Sequence, residues 1–293
     1  MPHHAGYVNI LGKPNVGKST LMNALIGERL SIITSKAQTT RHRILGIVNG
    51  ADFQLIFSDL PGIIKPAYKM HESMMEFVRT SLEDADAFIF MVQMGDKPEN
   101  QPEAYEQIKQ MKIPVVLLMN KVDLFEQEQV EKELEVWKAD FPQAQVLPFS
   151  AKFNSNFESF LTLLVQFLPE SEPFFDKDDW TDKPERFFVT EIIREKILTN
   201  YKQEIPYSCE VVCSSFKDDG DIIRIAAEIY VERESQKPIL IGRKGEMLKR
   251  VGTQARQDLE KFFGKKVFLE TFVRVADNWR NNESMLRKFG YKD

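Results

Sequence analysis

The sequence predicts an α/β domain with a mostly parallel sheet and a phosphate-binding loop, followed across an acidic stretch by a smaller α+β domain. Three observations carry this. Gly-Lys-Pro-Asn-Val-Gly-Lys-Ser stands at 12–19, Asn-Lys-Val-Asp stands at 120–123, and Gly-Arg-Lys-Gly at 242–245 sits inside an α-β-β-α-β order.

The first strand is the apolar run Tyr7–Leu11, and the composition from Ser19 to Ile26 is helical. The loop between them has the strand-loop-helix setting that phosphate binding requires. Gly12 and Gly17 let the backbone turn tightly enough to aim N–H groups at phosphate oxygens, at a helix start whose dipole favours an anion. Gly12, Lys13, Pro14, Asn15, Val16, Gly17, Lys18, Ser19 and Thr20 are therefore the expected phosphate contacts. Lys18 would reach the β- and γ-phosphates, and the Ser19 hydroxyl would ligate Mg2+.

Two strands are expected next, at 42–48 and 52–58, joined at the hairpin signal Asn49-Gly50. They are antiparallel, so one lies at a sheet edge. The second ends at Asp59-Leu60-Pro61-Gly62. Asp59 would hold the metal through water, and the Gly62 N–H is free of side-chain obstruction toward the γ-phosphate. Between helix and hairpin, Ser31–Arg41 reads as a flexible polar loop able to close over the γ-phosphate, with Thr40 favoured over Thr39 as a metal ligand. Ile63 follows Gly62 where Ras-like GTPases carry a water-orienting glutamine, so intrinsic hydrolysis should be slow.

Strands at 87–92, 113–119 and 144–149, separated by helix-length segments, complete a three-layer arrangement. The unbroken apolar run Ile113–Met119 suits a strand buried on both faces. Asn120, Lys121 and Asp123 then fall at its carboxyl end, where open α/β sheets bind ligands. A carboxylate at Asp123 accepts from the N1–H and N2–H₂ of guanine but would face a lone pair on adenine, a penalty of about 2 kcal/mol or more. Ser150-Ala151-Lys152 can present a backbone N–H to guanine O6. The expected ligands are thus GTP and GDP with Mg2+. Asn15 resembles the residue that binds potassium in related GTPases, and that resemblance adds K+ as a further candidate.

At 293 residues and 43% hydrophobic, the chain is long enough for two modest cores. It opens Met-Pro-His-His without an apolar signal segment, and no apolar run reaches the ~18–20 residues of a membrane span. Cys209 and Cys213 would lie roughly 13 Å apart on a strand, too far for a disulfide, so a reducing cytoplasmic setting is expected. His3, His4, His42 and His71 lack metal-ligand spacing and read as exposed polar residues. The net charge of −5 argues against indiscriminate polyanion binding.

The expected division is 1–169 for the nucleotide domain, 170–185 for an acidic, proline-punctuated linker, 186–279 for the second domain and 280–293 for a tail or short helix. Phe174, Phe175 and Trp180 of the linker read as packing against its own domains. In the second domain, the helix 185–202 carries Phe188, Val189, Ile192, Ile193 and Ile197 on one face. Strands at 207–216 and 221–233 follow, then a helix running to about Phe263 and a strand from Val267 to Val275. Gly242 and Gly245 would let single-stranded RNA lie close to the backbone, as in a KH-type clamp, while Ile241, Arg243, Lys244, Lys249 and Arg250 flank it. Lys237 and these four basic residues face one acidic residue, Glu246, between Gln236 and Arg250. Few aromatics lie nearby, so backbone contact and edge recognition should outweigh stacking.

These motifs, together with Ala-Gln-Thr-Thr-Arg-His-Arg-Ile at 37–44 and Glu-Ile-Ile-Arg-Glu-Lys at 191–196, closely resemble the Era family of bacterial GTPases across nearly the whole chain. Leu60 departs from the threonine many relatives carry, but its N–H serves equally. The resemblance implies a P-loop GTPase domain with one antiparallel edge strand and a type II KH domain. It also implies a monomer that binds the 3′ end of 16S rRNA, acts in assembly of the small (30S) ribosomal subunit and attaches peripherally to the membrane. Two other readings are an RNA adaptor with a structural nucleotide and a GTP-driven RNA-modification factor.

Overall fold

The computed structural model describes residues 2–34, 36, 38–96, 106, 108–153 and 157–292. Ser35 and Ala37 of the expected loop at 31–41, and most of the helix-length segment expected between 92 and 113, lie outside them. The chain forms two compact units: Met1–Ser31, Arg43–Ile63 and Phe77–Asp182 make the first, and Ile32–His42, Ile64–Glu76 and Lys183–Asp293 make the second.

In the first unit the strands β1 (His4–Gly12), β2 (Ile44–Asn49), β3 (Phe53–Asp59), β4 (Ala87–Gln93), β5 (Val115–Asn120) and β6 (Gln145–Pro148) form one sheet in the order β2-β3-β1-β4-β5-β6. All neighbouring pairs are parallel except β2–β3, whose antiparallel register runs from Ile44 opposite Asp59 to Asn49 opposite Gln54. Near-continuous apolar runs in β4 and β5 are buried along almost their full length, as a doubly covered parallel sheet requires. Parallel register brings the carboxyl ends of β1, β3 and β5 to the same edge of the sheet. Helices α1 (Lys18–Ile26), α3 (Gln127–Asp140) and α4 (Phe157–Val165) belong to this unit, while α2 is Lys69–Glu83.

The stretch expected as a linker is built into this unit as far as Asp182. Gln54 Oε1 accepts from the N–H groups of Phe174 and Phe175, and Ile47 N–H donates to the Trp180 carbonyl at 3.0 Å. Thr181 bridges to Gly46 in antiparallel fashion, and its hydroxyl donates to the Leu45 carbonyl at 2.7 Å. Phe174 meets the Tyr7 ring at 5.5 Å and remains half exposed.

In the second unit α5 (Glu185–Asn200) and α8 (Glu246–Phe263) cover one face of a three-stranded sheet of β7 (Glu210–Asp218), β8 (Ile222–Val231) and β9 (Lys266–Val275). β7 and β8 are antiparallel, β8 and β9 parallel. Val189, Ile192, Ile193 and Ile197 of α5 join Ile225, Ala227, Ile229, Val251, Ala255 and Leu259 in the core. Two short helices were not anticipated. α6 (Ile205–Ser208) takes the start of the expected strand, with a proline in its first turn. α7 (Gln236–Ile241) precedes the Gly-Arg-Lys-Gly loop, because Gly242 at φ 74°, ψ 175° breaks what the sequence suggested was one helix. α9 (Glu283–Lys288) is capped by the Asn282 side chain, which accepts from Ser284 and Met285 N–H.

The histidine expectation needs correction: none of the four is exposed, and His71 is buried at 5%. Burial, aided by Arg41 and Arg280, lowers its pKa to about 4. Among the described residues no three or more acidic, histidine or cysteine side chains are grouped so as to hold a metal ion by themselves. Cys209 and Cys213 are both buried free thiols, and burial pushes the first up to about 12.

Candidate nucleotide site and nucleic-acid interface

The loop between β1 and α1 is shaped by three residues in the left-handed half of conformational space, Gly12 (φ 150°), Asn15 (φ 65°) and Gly17 (φ 115°). Asparagine tolerates this region better than most side chains. A Cβ on Gly12 would stand 2.5 Å from the Met91 carbonyl oxygen, and one on Gly17 would stand 2.2 Å from Asn120 Nδ2. Both glycines are therefore required by close approach as well as by φ.

Lys18 is buried, its ammonium donating to the carbonyls of Gly12 at 3.0 Å and Lys13 at 2.9 Å. Burial lowers its pKa to about 8, with the Asp59 charge opposing the shift. The Ser19 hydroxyl donates to Asp59 Oδ2 at 2.9 Å, so the two oxygens expected at the metal already lie side by side. Leu60 and Pro61 are buried, and Gly62 lies against the phosphate loop, where a Cβ would stand 2.9 Å from Pro14 Cγ. Ile63 is 41% exposed. Val16 is buried and Thr20 half-buried. Thr40 belongs to the second unit.

The residues expected at the base interlock with the phosphate loop. Asn120 Nδ2 donates to the Val16 carbonyl at 2.8 Å while its Oδ1 accepts from Ala151 N–H at 2.9 Å. Lys121, itself left-handed at φ 66°, donates from Nζ to the Asn15 carbonyl at 3.0 Å and to Gln93 Oε1 at 2.7 Å. The Ser150 hydroxyl donates to Asp123 Oδ1 at 2.7 Å, orienting an otherwise exposed carboxylate. Lys152 reaches over the Phe153 ring at 4.9 Å. Sequence reasoning missed Gln93 and Asp96. Asp96 pairs with Lys13 at 2.9 Å and accepts from Gln93 N–H at 3.1 Å. Only their position at the end of β4 and just beyond it, on the strand between the two motif-bearing ones, could have drawn attention to them.

The donor set suits a magnesium nucleotide. Hydroxyl and carboxylate oxygens are the hard ligands Mg2+ takes, and a buried ammonium capped only by carbonyls has donors to offer an anion.

In the second unit, α7 and α8 are joined through Gly242, Arg243, Lys244 (φ 51°) and Gly245 (φ 79°). A Cβ on Gly242 would stand 2.7 Å from Met247 Cβ, whereas Gly245 faces open space. Arg243 and Lys244 are exposed, and Ile241 is half-buried. A groove of about 380 Å³ runs from Gly245 between α8 and β9, with Lys249, Gly252, Thr253, Arg256 and Thr271 in its walls. Lys249 is part of it, while Arg250, a residue further round the helix, is exposed outside it. Gly252, Thr253 and Arg256 were not singled out in the sequence. They recur along α8 beside Lys249 on the side turned to β9, a pattern visible only once that helix is known to border a groove.

A family of GTPases described as 50S ribosome-binding matches residues 7–121, and the KH domain family matches 204–280. GTPase Era of Geotalea daltonii is 43% identical over 291 residues, covering 99% of this chain and 98% of that protein. The chain belongs to the Era family of GTPases. Two solved Era structures agree throughout. One, in complex with MgGDPNP and nucleotides 1506–1542 of 16S ribosomal RNA, is 38% identical, covers 99% of this chain and superposes with a TM-score of 0.93. The other, a tyrosine-to-alanine variant of Aquifex aeolicus Era bound to GDP and AlF4⁻, is 39% identical with the same coverage of this chain and the same TM-score. As a member of the Era family, the chain is a GTPase whose P-loop domain is followed by a KH domain of type II.

Proposed function

We propose that this Era-family GTPase is a nucleotide-gated switch that binds the 3′ end of 16S rRNA and acts in assembly of the small ribosomal subunit. The observation that supports it best is the Gly-Arg-Lys-Gly loop opening onto the α8–β9 groove, in a chain whose sequence also carries the motifs of a guanine-nucleotide site. An Era protein solved with nucleotides 1506–1542 of that RNA is 38% identical over nearly this whole chain. A single RNA strand would thread the groove with its phosphates near Arg243, Lys244 and Lys249. Crosslinking to cellular RNA, comparing a GTP-locked with a GDP-bound protein, tests this. Enrichment of the 16S 3′ end that depends on nucleotide supports the switch; equal enrichment in both states favours an adaptor with a structural nucleotide.

In this reading Lys18 meets the β- and γ-phosphates, Gly62 N–H the γ-phosphate, and Ser19, Thr40 and Asp59 serve Mg2+, directly or through water. The metal, when bound, neutralises charge developing on the phosphoryl oxygens. Asp123, with Asn120, Lys121 and Ala151, selects guanine. The functional domains are 1–169 and 186–279. The protein works as a cytoplasmic monomer with peripheral membrane attachment. No described helix is long and apolar enough to cross a membrane.

Two expected results follow from the phosphate loop. A Lys18 pKa of about 8 in the nucleotide-free protein must rise when phosphates arrive. Below pH 8 the ammonium is charged in both states and affinity is flat. Above it, binding takes up a proton, and GTP affinity should fall about tenfold per pH unit. Affinities titrated between pH 6.5 and 9.5 check this, and Lys18→Arg should flatten the profile. Second, because Ile63 cannot orient water, turnover without RNA should be on the order of 10⁻⁴ to 10⁻² s⁻¹. K+ held near Asn15 should raise it, so equal rates in sodium and potassium buffers would eliminate the ion.

A further inference from the structure

The turn that follows β4 lies among the nucleotide-site residues of the first unit, yet it belongs to none of the motifs. β4 stands between the two motif-bearing strands, with Met91 opposite Gly12 of β1 and Gln93 opposite Asn120 of β5. The chain turns directly after Gln93. Asp96 N–H donates to the Gln93 carbonyl at 3.0 Å, and Asp96 Oδ2 accepts from the Gln93 N–H at 3.1 Å, so each residue fixes the other. Gly95 supplies the left-handed backbone that the turn needs, at φ 82°, and its N–H donates to Glu133 Oε1 of α3 at 2.8 Å. Gln93 is thereby set on β4 and braced against α3.

Two side chains of this turn meet lysines of the nucleotide site. Asp96 Oδ1 takes the Lys13 ammonium at 2.9 Å, and Gln93 Oε1 takes the Lys121 ammonium at 2.7 Å. The same Lys121 ammonium donates to the Asn15 carbonyl at 3.0 Å, so it joins the base motif to the phosphate loop. A lysine side chain has more rotamer freedom to lose than most, and a single carbonyl on a loop would hold its end loosely. A second acceptor on an anchored side chain confines it. Lys121 also sits at φ 66°, a conformation a lysine seldom adopts, so the backbone between Asn120 and Asp123 is one that its surroundings must maintain.

We propose that Gln93 is a positioning residue for guanine-nucleotide retention: it holds the Lys121 ammonium on the Asn15 carbonyl, keeps the base loop and the phosphate loop in register, and so sets how fast GDP leaves. The proposal rests on the reading of Asn120, Lys121 and Asp123 as the base site. GTP and GDP carry the same base, so loss of Gln93 should weaken both alike. This bracket meets the phosphate loop at Lys13 and Asn15, whereas the groups read as serving the γ-phosphate and the metal in this unit are Lys18, Ser19, Asp59 and Gly62. The chemical step should therefore keep its rate.

The test is release of a fluorescent GDP from the full chain, with GTP affinity and single-turnover hydrolysis measured in parallel. Gln93→Leu keeps much of the volume and removes the acceptor, so GDP should leave on the order of tenfold faster and GTP affinity should fall by a similar factor, with the single-turnover rate within about twofold of the parent. Gln93→Glu restores an acceptor, now charged, and should release GDP no faster than the parent. Should Gln93→Leu not fold, Gln93→Ser, too short to reach Lys121, reads the same release. Parent-like release from the folded variant lacking the acceptor, a single-turnover rate that falls as far as the affinity, or release from Gln93→Glu as fast as from Gln93→Leu overturns the proposal. Lys121→Ala separates it from its premise: parent-like release there removes Lys121 from the base site, whereas fast release there with parent-like release from Gln93→Leu removes Gln93 alone.

Discussion

Replacing Arg243 and Lys244 together with Asp is expected to lower affinity for single-stranded rRNA by a hundredfold or more at low salt, while GTP binding stays within twofold of the parent. Both side chains are exposed, so the exchange leaves the fold's interior untouched. The backbone at this loop is set by its two glycines, which remain. What changes is four units of charge beside phosphates. The parent's dependence of log affinity on log salt should be steeper by about 1.4, since each neutralised phosphate of a single strand contributes a slope near −0.7. Titrations at several salt concentrations measure both quantities. Retained affinity with an unchanged slope would reduce the loop to a helix connection.

The second large effect concerns the base. Asp123→Asn should lower GTP affinity by about two orders of magnitude or more and improve binding of xanthosine triphosphate, because an amide can donate to the O2 that replaces N2–H₂. The Ser150 hydroxyl that now orients the carboxylate can serve the amide oxygen equally, so the exchange should preserve the local geometry. Competition between the two nucleotides reads the result, and an unchanged preference for GTP would remove Asp123 from the base site.

The parts of this molecule legible in the sequence are those whose chemistry is written in consecutive residues. Gly12, Lys18 and Ser19 fall within one short motif from the end of β1 to the start of α1, and Asp123 follows a strand whose apolar run announces its burial. The partner groups that hold them are less legible. Asn120 ties Val16 to Ala151, joining segments over a hundred residues apart, and no local pattern encodes that. Arg41 and Arg194 mislead in the opposite direction: arginines in polar surroundings suggest solvent, yet both side chains are buried, Arg41 because carbonyls and the Glu210 carboxylate far along the chain receive it, Arg194 because Glu191 one helical turn back and the distant Thr39 carbonyl do. The groove beside α8 needs β9 for its second wall, so only the loop at its mouth could be recognised beforehand. The acidic stretch at 170–182 looked like a tether because its composition is that of one, whereas its backbone pairs with β2.

That pairing has a bearing on how the chain can be cut. β2 is an end strand, with β3 on one side only, and an uncovered end strand is a template on which other chains can assemble. Thr181 and Trp180 occupy its outer hydrogen-bonding positions, and Asp182 accepts from Leu45 N–H at 3.0 Å. A fragment ending at residue 169, where composition alone would place the boundary, exposes that row of groups and should aggregate on concentration. One ending just after Asp182 keeps its border closed and should remain dispersed.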